Sequence, residues 1–163
     1  MITIRPAEQK DLTRILEIYN REVLVSTATY DTQPRTMGEQ RKWFAAHGTT
    51  HPVLVACSEE GTVCGWGSLS PWSDRAAYGK SVEVSVYVAE ESRRAGVGRQ
   101  ILETLIETGR ARRFHALLSR ISADNEASVR LHAEAGFFVA GTLKEVGVKF
   151  GRILDVAIME LLL

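Results

Sequence analysis

The chain has 163 residues, the size of one ordinary domain, and we expect a single domain over residues 1–163. Its 20 Lys and Arg residues equal its 20 Asp and Glu residues, so its formal net charge is zero. Proteins that bind nucleic acid through phosphates carry a basic excess, so no nucleic-acid partner is expected. Hydrophobic residues make up 45% and charged residues 25%, which is typical of a folded globular protein and argues against disorder.

The N-terminal segment and the cysteines indicate the cellular compartment in which the protein works. The segment lacks the basic start and long apolar run of a signal peptide. No apolar stretch reaches the roughly 18 residues of a spanning helix, so we expect a cytoplasmic protein with no membrane partner. Cys57 and Cys64 could face each other across a hairpin, although a reduced pair is favoured. The four histidines show no metal-ligand spacing, so we predict no metal site.

In the first half of the chain, strand patterns enclose two helical patterns. Apolar residues at helical spacing predict a first helix from Leu12. The segment Thr36-Met37-Gly38-Glu39 fits a capping box that opens a second helix. The predicted strands here are residues 2–5, 52–58 and 63–70, of which the last two form a hairpin.

The second half opens with a strictly alternating strand over residues 81–88. Its valines lie on one face, and Ser81, Glu83, Ser85 and Tyr87 lie on the other. The further predicted elements are a helix after Gly98, a strand at 117–122, a helix capped by Asp124 or Asn125 and ended by Gly136, and strands at 137–144 and 153–162. This interleaving predicts a mixed α/β or α+β sheet domain.

The loop at residues 93–98 carries two glycines between a strand and a helix. The first turn of a helix has unpaired N–H groups and a partial positive charge, and glycine lets an anion approach them closely. Arg93, Arg94 and Arg99 add positive charge. The pattern fits a pyrophosphate cradle, although a plain strand-to-helix turn explains it equally well. It is not a Walker A loop, because no Gly-Lys-Ser/Thr follows.

The segment Arg93-x-x-Gly96-x-Gly98, which follows Tyr87-Val88, resembles the acetyl-CoA signature of the GNAT family, the Gcn5-related N-acetyltransferases. A second motif, Asn125-x-x-Ser128-x-x-x-His132-x-x-x-Gly136-Phe137, is similar to the helix after the family's fifth strand, where many members have a tyrosine in place of the histidine. The resemblance implies an α/β (α+β) GNAT fold. Its mixed, mostly antiparallel sheet has seven strands, two of them splayed at the centre, and is flanked by about four helices.

A narrower resemblance is to the phosphinothricin acetyltransferase branch, which includes enzymes that act on methionine sulfoximine and methionine sulfone. The residues that carry it are Pro71-Trp72, Arg75, Ala77-Tyr78, Glu83, Val86-Tyr87-Val88, Ser128 to His132, Gly147-Val148-Lys149-x-Gly151 and Asp155-Val156. One departure is aliphatic Ile153, near which the branch often has Trp. The resemblance implies a homodimer that moves acetyl from acetyl-CoA to the amino group of a small amino-acid-like acceptor.

Two residues are the predicted catalytic groups. Glu83 lies in the middle of a half-buried strand, where desolvation should raise its pKa and make it a better base toward a protonated amine; a solvated strand residue is the alternative. By resemblance, His132 would protonate the departing thiolate or accept a proton from the amine. The alternative is a histidine that only bonds to the backbone.

By resemblance, the pantetheine arm enters the wedge between the splayed strands and pairs with the backbone of Val86 and Val88. An N–H near Val86 would polarise the thioester carbonyl, and Asn125 would contact the arm or simply cap its helix. The predicted acetyl-CoA-binding residues are Val86, Tyr87, Val88, Arg93, Arg94, Ala95, Gly96, Val97, Gly98, Asn125 and Ser128.

The acceptor pocket is predicted around an arginine and several aromatic residues. The guanidinium of Arg75 suits a carboxylate or phosphinate, unless it is only a surface charge. The aromatics would pack on the acceptor, with core or dimer packing as the alternative. The predicted acceptor-binding residues are Tyr30, Trp72, Arg75, Tyr78, Val82, Glu83 and Val84.

Two other functions stay open. The chain could acetylate a protein N-terminus or a lysine, which would need an open peptide groove. It could also be an acyl-CoA-binding module without turnover, in which Glu83 and His132 have no required role.

Overall fold

The computed structural model describes all 163 residues and contains one seven-stranded sheet. The strands are β1 (Thr3–Pro6), β2 (Val53–Cys57), β3 (Val63–Pro71), β4 (Ser81–Val88), β5 (Ala116–Ser122), β6 (Phe138–Lys149) and β7 (Arg152–Leu162). The helices are α1 (Leu12–Val25), α2 (Met37–His47), α3 (Val97–Ala111) and α4 (Glu126–Glu134). The predicted fold class is confirmed.

The sheet order is β1-β2-β3-β4-β5-β7-β6, and every neighbouring pair is antiparallel except β4 with β5. These two parallel strands pair only where Ser81–Glu83 meets Ala116–Leu118. Beyond Glu83 they separate, so the following β4 backbone has a ladder partner on the β3 side alone. The predicted splay is therefore present, and it opens directly after Glu83.

Helix α3 packs closely on one face of the sheet. Ile101, Leu102 and Leu105 are fully buried there. A Cβ added to Gly67 on β3 would lie 2.6 Å from Ile101 Cγ2, so only a glycine allows this approach. The contact holds the N-terminus of α3 beside the open part of β4.

Helices α1 and α2 cover the opposite face through aromatic contacts. The Tyr87 ring stacks on Trp66 with centroids 4.8 Å apart, and it meets the edge of Tyr19 at 5.3 Å. Because Tyr87 belongs to β4 and Tyr19 to α1, this cluster ties the splayed strand to the helix beside it.

Local signals predict the element ends well. Thr36 and Glu39 form the predicted capping box of α2, and the Asn125 side chain caps α4. The strand predicted to end at residue 144 instead continues to Lys149 and turns through residues 150–151 into β7. An irregular register between Leu143 and Gly147 breaks the alternation, which hides the strand from a period-two pattern.

The two cysteines, Cys57 and Cys64, are buried free thiols. None of the helices combines the length and hydropathy that crossing a bilayer requires.

Candidate active site

A cleft of about 1060 Å³ opens where β4 and β5 part. It runs from the bend at residues 93–98 past the start of α4 to His132. All predicted acetyl-CoA-binding residues line it except the exposed Ala95: they are Val86, Tyr87, Val88, Arg93, Arg94, Gly96, Val97, Gly98, Asn125 and Ser128.

The bend presents the N-terminus of α3 to this cleft. Gly96 is the N-cap with φ 78°, in the left-handed region that favours glycine, and no side chain caps the first turn. A Cβ on Gly98 would make ordinary van der Waals contacts, at 3.4 Å from Val88 and 3.5 Å from Leu131, which shows that this turn lies beside β4 and α4. The unpaired first-turn amides and the helix dipole make an anion site.

The arginines of the bend have different partners. Arg93 donates to the buried Glu22 of α1 and, at 3.4 Å, to the Val88 carbonyl oxygen. Arg99 pairs with Glu134, whereas Arg94 makes no salt bridge and has φ 63°. The charge of Arg93 is thus balanced within the chain and braces the bend, which leaves the amides and Arg94 to meet an anion.

A second cavity of about 280 Å³ adjoins the cleft and contains Glu83. The residues that line both spaces are Ala28, Val86, Tyr87, Arg120, Ile121, Ser128 and His132. A ligand in the cleft and a ligand in the small cavity would therefore meet beside His132 and the opening of β4.

The carboxylate of Glu83 lies at the apex of the wedge. Its side chain is 24% exposed, and Arg120 Nη1 donates to its Oε2 at 2.6 Å. Burial raises the pKa of Glu83 above its ordinary value, and the Arg120 charge opposes that rise. The direction agrees with the prediction made from its position in the strand.

His132 is 4% exposed and has a defined tautomer. Its Nδ1 lies 2.8 Å from the Ser128 carbonyl oxygen, which only accepts, so Nδ1 carries the hydrogen. Nε2 is buried without a partner, and burial lowers the pKa of the imidazole. A neutral His132 therefore has an unused proton acceptor at Nε2, and the residue lines the space where the two cavities join.

The predicted acceptor residues separate into two groups. Tyr30 and Val84 line the small cavity, and the Tyr30 hydroxyl is buried without a partner. Trp72 does not line it but packs against Arg120, whose guanidinium carbon lies 4.3 Å from the ring centre.

The other predicted acceptor residues lie outside both cavities. Arg75 and Tyr78 line neither cavity, because the loop from β3 to β4 is exposed and folds into the 3-10 turn Ala76–Tyr78. Val82 is fully buried in the core against α3, since alternation in β4 turns it away from the Glu83 face.

Sequence reasoning missed Arg120. Leu118 of β5 pairs with Glu83, and Arg120, two residues further along, projects from the same face of the sheet. Strand alternation shows Arg120 opposite the core face, but the register that brings it to Glu83 is a tertiary property.

No group of three or more His, Cys, Asp or Glu side chains lies close enough to hold a metal ion.

A family model described as an acetyltransferase (GNAT) domain matches residues 4–158. The fold and the site thus define an acetyltransferase, and the chain belongs to the GNAT family. The family that its motifs resemble is confirmed.

Several acetyltransferases of known name are similar to this chain in sequence or structure. The L-methionine sulfoximine/L-methionine sulfone acetyltransferase of Pseudomonas paraeruginosa is 39% identical over 160 residues, 98% of this chain and 93% of that protein. The phosphinothricin acetyltransferase of Sinorhizobium meliloti, solved in complex with AcCoA, has a TM-score of 0.97 at 36% identity, covering 99% and 88% of the two chains. A ribosomal-protein-alanine N-acetyltransferase from Brucella melitensis has a TM-score of 0.95 at 40% identity, with 99% of each chain covered.

Proposed function

We propose that this chain transfers the acetyl group of acetyl-CoA to the amino group of a small amino-acid-like acceptor, such as methionine sulfone, methionine sulfoximine or phosphinothricin. The observation that carries the proposal is the junction of the two cavities beside His132. The cleft starts at a helix N-terminus suited to phosphate, and the small cavity holds a carboxylate with a raised pKa. The activities of the similar Pseudomonas and Sinorhizobium proteins support the same chemistry.

The donor would lie along the cleft. Its pyrophosphate binds the amides of the bend at residues 93–98. Its pantetheine arm pairs with the open side of β4 from Val86 to Val88, because β5 leaves that edge free. The thioester then lies where the cavities meet, near the Val86 amide, which stabilises negative charge on the carbonyl oxygen during transfer.

Two protons must leave the acceptor ammonium. Glu83, directly or through a water, takes the first, and the free amine attacks the thioester carbon. As the C–S bond breaks, His132 Nε2 takes the second proton from nitrogen and passes it to the thiolate. The products are the N-acetyl compound, coenzyme A thiol and one proton released to solvent. A neutral imidazole with a free Nε2 suits this shuttle.

A second candidate function is acetylation of a peptide N-terminus. The similarity to the Brucella protein named as a ribosomal-protein-alanine N-acetyltransferase favours it. The small volume of the Glu83 cavity, about 280 Å³, favours a free small acceptor instead.

Thiol release from acetyl-CoA tests the proposal against both alternatives. We expect turnover with methionine sulfone, methionine sulfoximine or phosphinothricin, and none with short alanine-start peptides. Turnover with the peptides alone would replace the first function by the second. Calorimetric binding of acetyl-CoA without turnover on the whole panel would indicate a binding module.

We also propose that two copies associate through the β6–β7 hairpin and that the enzyme works in the cytoplasm. Strand β6 is a sheet edge, and the hairpin exposes apolar side chains: Phe138, Val139, Leu143, Val146, Val148, Phe150 and Ile153. Such a patch on an edge strand suits pairing with a second copy.

The two buried thiols favour a reducing compartment, and cell fractionation against compartment markers tests that location.

A further inference from the structure

Arg120 is the one lysine or arginine among the residues that line the small cavity. The two carboxylates in the lining are Glu83 and Asp31. Asp31 already accepts a hydrogen bond from the Tyr19 hydroxyl and lies 3.6 Å from Arg35. An anion that enters this cavity therefore has a single cation to bind.

The guanidinium of Arg120 is held in place and still has unused donors. Nη1 donates to Glu83 Oε2 at 2.6 Å, and the guanidinium carbon lies 4.3 Å from the centre of the Trp72 ring. The bond to Glu83 is the only hydrogen bond that the Arg120 side chain makes within the chain, so Nη2 and Nε are free for a ligand. A guanidinium has five N–H donors in a planar fork that suits a carboxylate. Tyr30 lines the same cavity, and its buried hydroxyl has no hydrogen-bond partner.

The spacing of the Glu83–Arg120 pair suits a zwitterion. In an α-amino acid, standard bond lengths place the nitrogen about 2.5 Å from the carboxyl carbon. Glu83 and Arg120 are adjacent and opposite in charge. The amino group of an amino acid can therefore face Glu83 while its carboxylate meets the unused Nη2 and Nε donors of Arg120.

We propose that Arg120 is a specificity-determining residue that binds the α-carboxylate of the acceptor while Glu83 faces the amino group, so that the site selects free α-amino acids. This inference rests on the proposed acetyl transfer and narrows its acceptor class. A peptide N-terminus carries a neutral amide at the same position and would leave the guanidinium without its anion.

The test compares three acceptors in the thiol-release assay: methionine sulfone, its α-carboxamide, and the amine that lacks the carboxylate. We expect the parent to prefer the acid over the amide in kcat/KM on the order of 10- to 100-fold, the range of a charge-assisted hydrogen bond. Arg120→Gln should bring this preference close to one, mainly through a higher KM for the acid. Arg120→Lys, which keeps the charge but not the fork, should fall between them, and Arg41→Gln on the exposed face of α2 should keep the parent preference.

The outcomes separate a binding role from an indirect one. If Arg120→Gln slows the acid and the amide by the same factor, Arg120 acts only through Glu83 and the proposal is overturned. The proposal also fails if Arg75→Gln, rather than the Arg120 variants, removes the preference. Circular dichroism checks folding, and Arg120→Lys supplies the comparison if the Gln variant does not fold. A parent that turns over neither these three acceptors nor methionine sulfoximine and phosphinothricin would refute the proposed acetyl transfer and this inference with it.

Discussion

At the scale of single residues, the proposed chemistry depends on Glu83 and His132. Burial shifts the pKa values of these two side chains in opposite directions. Burial raises the pKa of Glu83 toward the working pH, so that it holds a proton more readily than an exposed glutamate. Burial lowers the pKa of His132, which keeps the imidazole neutral and leaves its buried Nε2 without a hydrogen-bond partner. Both shifts favour proton acceptors near neutral pH.

Replacing Glu83 by Gln should remove the first proton acceptor without altering the cleft. We expect kcat with methionine sulfone to fall by about 10²- to 10⁴-fold, the usual contribution of a general base. The Kd for acetyl-CoA should stay unchanged, because Glu83 lines only the small cavity. Thiol release and calorimetry measure the two quantities. Glu103→Gln, on the exposed face of α3, is the matched control, and a Glu83→Gln variant as fast as the parent from pH 6 to 8 would rule out the base.

At the scale of elements, His47 joins α2 to β3. Its Nδ1 donates to the Trp43 carbonyl oxygen at 2.8 Å, and the Ser70 hydroxyl donates to Nε2 at 2.9 Å. Burial is the largest influence on this histidine and lowers its pKa below the ordinary 6.5. The unfolded chain therefore binds a proton at a higher pH than the folded chain does.

It follows that the free energy of unfolding should fall as the pH drops below about 6.5, where the unfolded histidine takes up its proton. His132 adds a loss of the same sign. Urea unfolding at pH 7.5, 6.5 and 5.5 measures the dependence. His47→Gln should flatten it and the exposed His115→Gln should not; an equal slope in the parent and the His47 variant would contradict the assignment.

The contact of α3 with β3 gives a second test at this scale. Gly67→Ala places a Cβ 2.6 Å from Ile101 Cγ2 and 2.9 Å from the Ser85 carbonyl oxygen, so the helix or the strand must move. We expect a loss of about 1–3 kcal/mol in the free energy of unfolding, as for other overpacked cores. Urea unfolding measures it. Gly141→Ala is the control, since nothing lies within 4 Å of its added Cβ, and equal stability of the two variants would show that α3 is not in close contact.

At the scale of the whole molecule, one ion pair and one hydrogen bond link distant parts of the site. Glu22 of α1 accepts from Arg93 of the bend and also from the Ser26 hydroxyl, at 2.6 Å, in the loop that leads to Tyr30. Lys149 at the end of β6 donates to the Thr29 carbonyl oxygen at 2.7 Å. The loop over the acceptor cavity is thus held by both the donor side and the β6–β7 hairpin.

The exposed apolar face of that hairpin predicts a dimer. Light scattering after gel filtration should give twice the mass of one chain for the parent. Val148→Lys, at a position that is 68% exposed, should give the mass of one chain, because a buried charge opposes pairing. Leu24→Lys makes the same apolar-to-charged change at an exposed position of α1 and should leave the two copies paired. A parent with the mass of one chain at micromolar concentration would refute the association.

Much of the fold was accessible from local patterns. The capping box at Thr36, the alternation around Glu83 and the glycines of the bend mark α2, β4 and the start of α3, because caps and side-chain periods act between residues close in sequence. The cleft residues were predicted through the resemblance of these segments to the GNAT family. The extension of β6 to Lys149 was not predicted, because its irregular register interrupts the alternation of apolar and polar residues by which a strand is recognised.

The sequence by itself predicted most of the elements, since each depends on a short contiguous segment, and it carried the motifs whose resemblance to the GNAT family pointed to Glu83 and His132 as catalytic candidates. Tertiary structure alone decided which arginine stands beside Glu83. Arg75 is near Glu83 in sequence but exposed, whereas Arg120 reaches it through the parallel pairing of β4 and β5. That pairing joins residues 37 positions apart, and its register depends on the packing of the whole sheet, which no local pattern encodes.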